Sequence, residues 1–411
     1  MLVQIGTLIV ATGLIQLANG FFGTFVSLRV ASAGFDPGWV GPVLSAYFAG
    51  FTIGALRCGA IIGRVGHIRG YAAFAGLVVC ATAAMPLLEG AVAWLVLRAI
   101  IGFGCAGIFM TAESWLNAKA EPASRGRVFS LYMVATFLSL AGGQLLVGSL
   151  DLAADAPFTL IVVLFAAALV MVSTTRAEPP RIAPPPPLPY GMLTRAAPVA
   201  VAGCALSGVI SGSFYALVPA WMQGEGHGSG TIALVMLAAV LGGLAFQIPV
   251  GRLSDRVDRR LVLVGLGLGL AAAAAVLLFL PPRLALVLPP AAMLGGFMST
   301  LYPVAVAHAH DRMPADSVVA VSARLILVSG LGSVAGPLVA SGLMARYGID
   351  GVLWLMASAA LLLAALAGGR AALRAAPRHA ARTFAVLAPQ ASPLAHDPAA
   401  SAAAPVPRPA A

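Results

Sequence analysis

Apolar and polar positions in this chain fall into blocks: long apolar runs are cut by short charged or proline-rich breaks. Cutting at those breaks predicts twelve apolar segments, at about 4–28, 39–62, 70–88, 91–113, 128–150, 156–174, 197–221, 230–250, 261–280, 284–307, 318–342 and 350–369. Most are near the ~20 residues that span a bilayer as a helix. At this length a helix is the one element that pairs its backbone groups internally in lipid. The pattern therefore predicts an all-α polytopic membrane protein with twelve transmembrane helices.

A second pattern lies over the first. Gly251 to Arg260 (GRLSDRVDRR) sits between two apolar runs, and Gly59 to Ile68 (GAIIGRVGHI) sits 192 positions earlier in the same setting, without a gap. Gly59 falls on Gly251 and Arg64 on Arg256. Upstream in that register Gly20 falls on Gly212, Phe22 on Phe214, Gly34 on Gly226, Ala46 on Ala238 and Gly50 on Gly242. A repeat at this spacing predicts two pseudo-symmetric six-helix bundles. They are expected over 1–174 and 197–369, joined by a Pro-rich cytoplasmic linker at 175–196. A basic Ala/Pro-rich tail at 370–411 is expected to be disordered.

Composition narrows the class. Hydrophobic residues make up 60% of the chain and charged residues 9%, against about 25% charged in soluble domains; mean hydropathy is +0.97. The net charge of +10 comes from short clusters between apolar runs without aromatic interleaving, so it reads as topology rather than nucleic-acid binding. With both termini cytoplasmic, inner loops and tail hold eighteen of the Lys and Arg residues and outer loops three; Arg57, Arg98 and Arg324 fall inside helices. That bias sets the orientation, in a plasma (inner) membrane, with anionic lipid facing the cytoplasmic positive charge. Cys58, Cys80, Cys105 and Cys204 lie within apolar segments and read as packing residues.

Two six-helix halves, a central linker and a duplicated basic motif between the second and third helices of each half resemble the major facilitator superfamily. That family's motif is Gly, three residues, Asp-Arg, one residue, Gly, then basic residues. Gly251, Asp255, Arg256, Arg259 and Arg260 match it, with Asp258 replacing the last glycine; Gly59, Arg64, Gly66 and Arg69 match in the first half, with Gly63 replacing the aspartate. Arg98 with Gly102, Gly104 and Gly107 is similar to the family's Arg-then-glycine motif. Gly142, Gly143 and Gly148, with Gly336, Pro337 and Gly342, are similar to the glycine-rich motif of drug exporters. SAYFAGFTIG, GRVGHIRG, TAESWLN and LYPVAVAHAHD resemble the YcaD-like branch. The resemblance implies that the duplicated motif is a cytoplasmic latch, with Asp255 facing the start of the fifth helix near Gly126 to Val128. An anion there is stabilised by the helix N-terminus. It also implies a coupling role for Arg98.

Few residues within the helices carry chemistry, and intramembrane ionisable groups are functional hypotheses by default. Glu113 reads as a gate ion pair with Arg57 and Arg64, as a proton site, or as an interfacial group. Arg98, about 10 Å into the fourth helix, shares its level with no acid and reads as a coupling group or an anion site. Arg324 reads as a snorkelling side chain. His308, with His310 and Asp311, is a coupling candidate or a helix cap. Gln16, Asn19, Tyr47, Gln144, Ser211, Tyr215 and Gln247 are candidates for the wall of a central cavity or for hydrogen bonds between helices; Asn19 and Ser211 occupy equivalent places in the two halves. Ala46, Gly50, Gly54 and Cys58, spaced by four, make a smooth face for close packing.

The leading expectation is a secondary transporter, acting as a monomer by alternating access on a small organic solute. It is expected to export a metabolite or drug-like compound, with the proton gradient as its drive and no cofactor or metal. Alternatives are an uncoupled facilitator or a non-transporting sensor. No phosphate-binding loop is present, so ATP drive is not expected. No nucleophile–base pair, paired carboxylates or metal cluster at one level points to an enzyme.

Overall fold

In the computed structural model, residues 2–32, 34–35, 37–88, 90–121, 125–174, 191–281, 283–314 and 317–373 are described. They form thirteen α-helices: α1 (Leu2–Ser32), α2 (Pro37–Val65), α3 (His67–Ala84), α4 (Ala91–Lys119), α5 (Arg125–Val147), α6 (Ala156–Ser173), the short α7 (Met192–Ala196), α8 (Pro198–Gly224), α9 (Ser229–Arg256), α10 (Arg259–Phe279), α11 (Leu284–His310), α12 (Val318–Tyr347) and α13 (Gly351–Leu373). All except α7 are long and apolar enough to cross a membrane, twelve in total. Leu138, Val163, Ile248, Leu331 and Leu361 are about half exposed, as befits surfaces that face acyl chains. The expected linker at 175–196 lies outside the described residues up to 190, and α7 occupies most of the remainder. The tail begins as the last turn of α13, through Leu373, and its remainder lies outside the described residues.

The helix partners repeat. In the first half α2 packs on α4, α1 on α5 and α6, and α3 on α4 and α6; in the second α9 packs on α11, α8 on α12 and α13, and α10 on α11 and α13. The same symmetry governs the contacts across the molecule, where α2 meets α12, α9 meets α5, and α1 meets α8.

Glycines set the crossings. A Cβ on Gly20 would meet the Leu140 carbonyl and one on Gly143 the Leu17 carbonyl, which locks α1 against α5; Gly212 against Ser333 and Gly336 against Val209 do the same for α8 and α12. Gly143 and Gly336 belong to the exporter-like glycine motifs, and their role here is close backbone approach. The smooth face of α2 packs as expected, Gly50 on Ala99 and Gly54 on Phe103 and Ala106 of α4. Gly34 and Gly226, equivalent in the repeat, both turn with positive φ, 68° and 84°, a conformation that costs glycine nothing.

One local expectation changes. The duplicated motif was expected as a loop between helices, yet α9 continues through Arg256 and leaves only Val257 and Asp258 before α10; α2 likewise runs to Val65 and leaves only Gly66 before α3. Arg64 and Arg256 stand in the last helical turns, where positive charge complements the helix dipole. The helix is favoured over the loop for that reason.

Side-chain bonds between the halves include Ser27 Oγ to the Ala216 carbonyl (2.5 Å), Gln223 Nε2 to Ser32 Oγ (3.1 Å) and Ser45 Oγ to the Val334 carbonyl (2.9 Å). Gly148 at the end of α5 also abuts Gly230 at the start of α9. These contacts run from mid-depth to the end of the bundle opposite the basic motif.

Candidate functional site

A cavity of about 150 Å³ lies at mid-depth between the halves. α1 contributes Gln16, Asn19 and Thr24, α2 contributes Tyr47, Phe48 and Phe51, and α4 contributes Arg98; across from them stand Ser211 and Tyr215 of α8 with Ser329 and Ser333 of α12. Of the cavity candidates, Gln16, Asn19, Tyr47, Gln144, Ser211 and Tyr215 all line it. Gln247 does not: its Nε2 donates to the Ser299 carbonyl at 3.3 Å, between α9 and α11. Ser207, Ser299, Tyr302, Ser329 and Ser333 were not anticipated; the spacing of four between Ser329 and Ser333 was the available signal.

Arg98 is the one charged side chain among the described residues that line the cavity. It is 5% exposed. Its guanidinium carbon stands 4.8 Å from the Tyr47 ring centroid and 5.5 Å from that of Phe22, a cation–π setting that offsets part of its desolvation. Its Nε has no hydrogen-bond partner. The α2–α4 crossing holds this arrangement, because Gly50 abuts Ala99, next to Arg98, and Gly102 abuts Tyr47.

The amides divide by whether they are satisfied. Gln144 is fixed, since Thr24 Oγ1 donates to its Oε1 and its Nε2 donates to the Gly20 carbonyl, both at 2.7 Å. Asn19 Oδ1 receives the Cys105 thiol at 3.7 Å, while Asn19 Nδ2 and Gln16 Oε1 are buried without partners. Ser211 Oγ and Ser333 Oγ donate to carbonyls of their own helices. Among the residues that line the cavity, the donors without partners, Asn19 Nδ2 and Arg98 Nε, stand on the α1–α4 wall, and hydroxyls face them.

Glu113 is elsewhere. It is 1% exposed, inside the first half, and Tyr132 Oη of α5 donates to its Oε1 at 3.2 Å. Arg57 and Arg64 are exposed on α2, so the structure does not bring them to Glu113 as a gate pair. The helical phase of α2 turns both arginines outward. His308 is buried near the motif end of α11, its Nε2 without a hydrogen-bond partner, and does not line the cavity. His310 bonds Ser322 at 3.0 Å. Among the described residues no cluster of three metal-ligating side chains occurs.

The basic motif of the second half is a charge cluster around Arg259, 3% exposed. Arg259 donates from Nε to Asp311 Oδ2 (2.7 Å), from Nη1 to Ser254 Oγ (2.9 Å) and from Nη2 to Asp255 Oδ1 (3.4 Å). Asp258, in place of the motif's last glycine, caps α10: its Oδ1 accepts the Arg260 backbone N–H at 2.9 Å. Burial raises the Asp258 carboxyl, but the hydrogen bonds and charge of Arg260 outweigh this and hold it below the usual carboxylate range. The first half is built differently. His67, equivalent to Arg259, is 1% exposed and its Nε2 meets Ser114 Oγ at 2.8 Å; Arg69 is exposed.

The comparisons agree with this architecture. The family model described as Major Facilitator Superfamily matches residues 8–239 and 203–400. The MFS-type transporter YcaD of Salmonella enteritidis PT4 is 30% identical over 345 residues, covering 84% of this chain and 89% of that protein, and YcaD of Salmonella arizonae matches over the same span at the same identity. Among solved structures, the nucleoside transporter NupG superposes with a TM-score of 0.72 at 13% identity, over 89% of this chain and 98% of that one. The D-xylose–proton symporter gives 0.68 at 16% identity, over 92% and 100%. Repeat, fold and family model converge: the chain belongs to the major facilitator superfamily and has the architecture of a multi-pass membrane transporter.

Proposed function

We propose that this chain is a secondary transporter that moves a small organic solute across the plasma (inner) membrane by alternating access, with the mid-depth cavity as its solute site. The observation that carries this reading is the cavity's place between two pseudo-symmetric halves. Such halves rock about a midplane site. With the basic motif on the cytoplasmic side and both termini inside, the inter-half bonds around Ser27, Ser45 and Gln223 close the outer end, which supports an inward-facing state. Export of a metabolite or drug-like solute, driven by the proton gradient, is the proposed work.

The test is the purified chain in pH-loaded liposomes, screened against a mixed solute library. Solute movement that follows the imposed gradient supports proton coupling; movement that ignores it, down the solute gradient alone, removes coupling. A second reading, an uncoupled facilitator, is favoured by the cavity lining, in which the described residues include no carboxylate. Glu113→Gln separates the two readings. If Glu113 carries the proton, the variant loses pH-gradient dependence while keeping solute exchange, and transport that stays fully pH-coupled removes Glu113 from the proton path.

Asp255 is the proposed latch, and a second variant addresses it. In this state its carboxylate sits with Arg259. An outward-facing state would carry it to the start of α5, where the helix dipole adds roughly 0.3–1 kcal/mol. Asp255→Asn is expected to raise the ratio of inward- to outward-facing states by about two- to fivefold. Labelling of a cysteine placed at Ser329 from each side of the membrane, in a cysteine-free background, reads that shift; unchanged labelling on both sides counts against the latch.

A further inference from the structure

The α1–α4 wall carries an unmet demand for negative charge. Arg98 is buried in the cavity wall, and the charged residues that line the cavity number one among those described. Its guanidinium is held between the faces of Tyr47 and Phe22, yet its Nε has no partner. Asn19 Nδ2 on the same wall is a second donor without a partner, its carbonyl oxygen already engaged by Cys105. A lone guanidinium withdrawn from water is completed by an anion, and its planar fork matches a carboxylate in two parallel hydrogen bonds. One cation matches one negative charge, so a dianion such as phosphate monoester would be left half-compensated.

The remaining lining describes the rest of the solute. Tyr47, Phe48 and Phe51 present apolar surface beside that wall, and Met298 of α11 and Ile326 of α12 present it from the other half. A volume of about 150 Å³ takes an apolar body of about benzene's size. Gln16 Oε1, one turn along α1 from Asn19, is an acceptor without a partner and suits a hydroxyl or N–H on that body. We infer that the cavity recognises a small organic monocarboxylate with an aromatic or compact apolar body, its carboxylate held by Arg98 and Asn19. This deepens the proposed transport function and rests on that reading for the movement of the solute, though not for its binding.

The test is calorimetric binding to the purified full-length chain in detergent. The probes are benzoate and 4-hydroxybenzoate, with benzamide and benzylammonium as neutral and cationic matches of the same shape. The wild type is expected to bind the two carboxylates, 4-hydroxybenzoate the more tightly, and benzamide at least about tenfold more weakly. Arg98→Gln is expected to lose at least about tenfold in carboxylate affinity, and Arg98→Lys to recover part of it as a point charge. Thermal unfolding of both variants confirms that they fold, and if Arg98→Gln does not, Asn19→Ala takes its place with a smaller loss. Benzamide or benzylammonium binding as tightly as benzoate, carboxylate affinity unmoved in Arg98→Gln, or no carboxylate binding at all would overturn the inference. Carboxylate binding that depends on Arg98, without passage into liposomes, would uphold the site and sink the transport reading. Passage of a neutral or cationic solute unaffected by Arg98→Gln, with no carboxylate binding that depends on Arg98, would do the reverse.

Discussion

Gly102→Val is expected to destabilise the protein by about 3 kcal/mol, at the upper end of overpacking costs, and to abolish solute movement with it. A Cβ at Gly102 falls on the Tyr47 carbonyl oxygen and close to the Phe51 backbone nitrogen. Backbone, unlike a flexible side-chain tip, cannot turn aside, so α2 must move off α4. The reverse contact fails at the same time, because Gly50 abuts the Ala99 backbone in the same crossing. Both partners belong to the site: Tyr47 lies under the Arg98 guanidinium, and Ala99 is its neighbour. The substitution therefore acts through the site's geometry without touching its chemistry. Gly265→Ala is the control, since nothing lies near its added Cβ and a helical Gly→Ala change gains up to about 1 kcal/mol of propensity. Thermal unfolding in detergent should show Gly102→Val well below wild type and Gly265→Ala at or above it. A Gly102→Val protein as stable and as active as wild type would show that the crossing is slack.

The sequence made the fold legible because the bilayer imposes a length and a composition on each helix. Every predicted segment corresponds to an observed helix, and the 192-residue register reappears in the contacts of Gly20 with Leu140 and Gly212 with Ser333. Rotation of each helix about its axis was much less legible. In a soluble helix the polar stripe marks the outer face, but here Leu138 toward lipid and Phe137 toward the core are both apolar. Small and polar residues supplied what phase there was, which is why Asn19, Ser211 and Gln144 were named as candidates for the cavity wall or for bonds between helices and the smooth face of α2 was read as packing. Gln247, polar as well, turned to α11. Glu113 was expected at the inner end of the fourth helix, as a gate pair with Arg57 and Arg64, a proton site or an interfacial group, because the fourth segment was ended at that residue. The helix instead continues to Lys119, and its last turns carry Glu113 into contact with Tyr132, away from Arg57 and Arg64.

Arg259→Met is expected to cost about 3 kcal/mol, the range for removing one partner of a buried ion pair, because it takes away the cation that Asp255 and Asp311 share. Asp311 is 10% exposed and bonded to Arg259 at 2.7 Å; Asp255 is 30% exposed at 3.4 Å. The cost should therefore arise mainly at Asp311, with water relieving Asp255. Asp311→Asn in the same chain then removes the carboxylate charge that lost its 2.7 Å partner, so the double variant is expected to regain much of the loss. Such recovery separates the electrostatic account from one in which Arg259 matters only for its packed stem. The two halves supply an internal comparison. His67 opens α3 as Arg259 opens α10, yet its partner is the Ser114 hydroxyl. A neutral pair of this kind contributes about 1 kcal/mol, so His67→Ala should destabilise less than Arg259→Met. Thermal unfolding of the four proteins in one detergent tests the whole set. A double variant no more stable than Arg259→Met alone would assign the role of Arg259 to the packing of its stem rather than to its ion pairs.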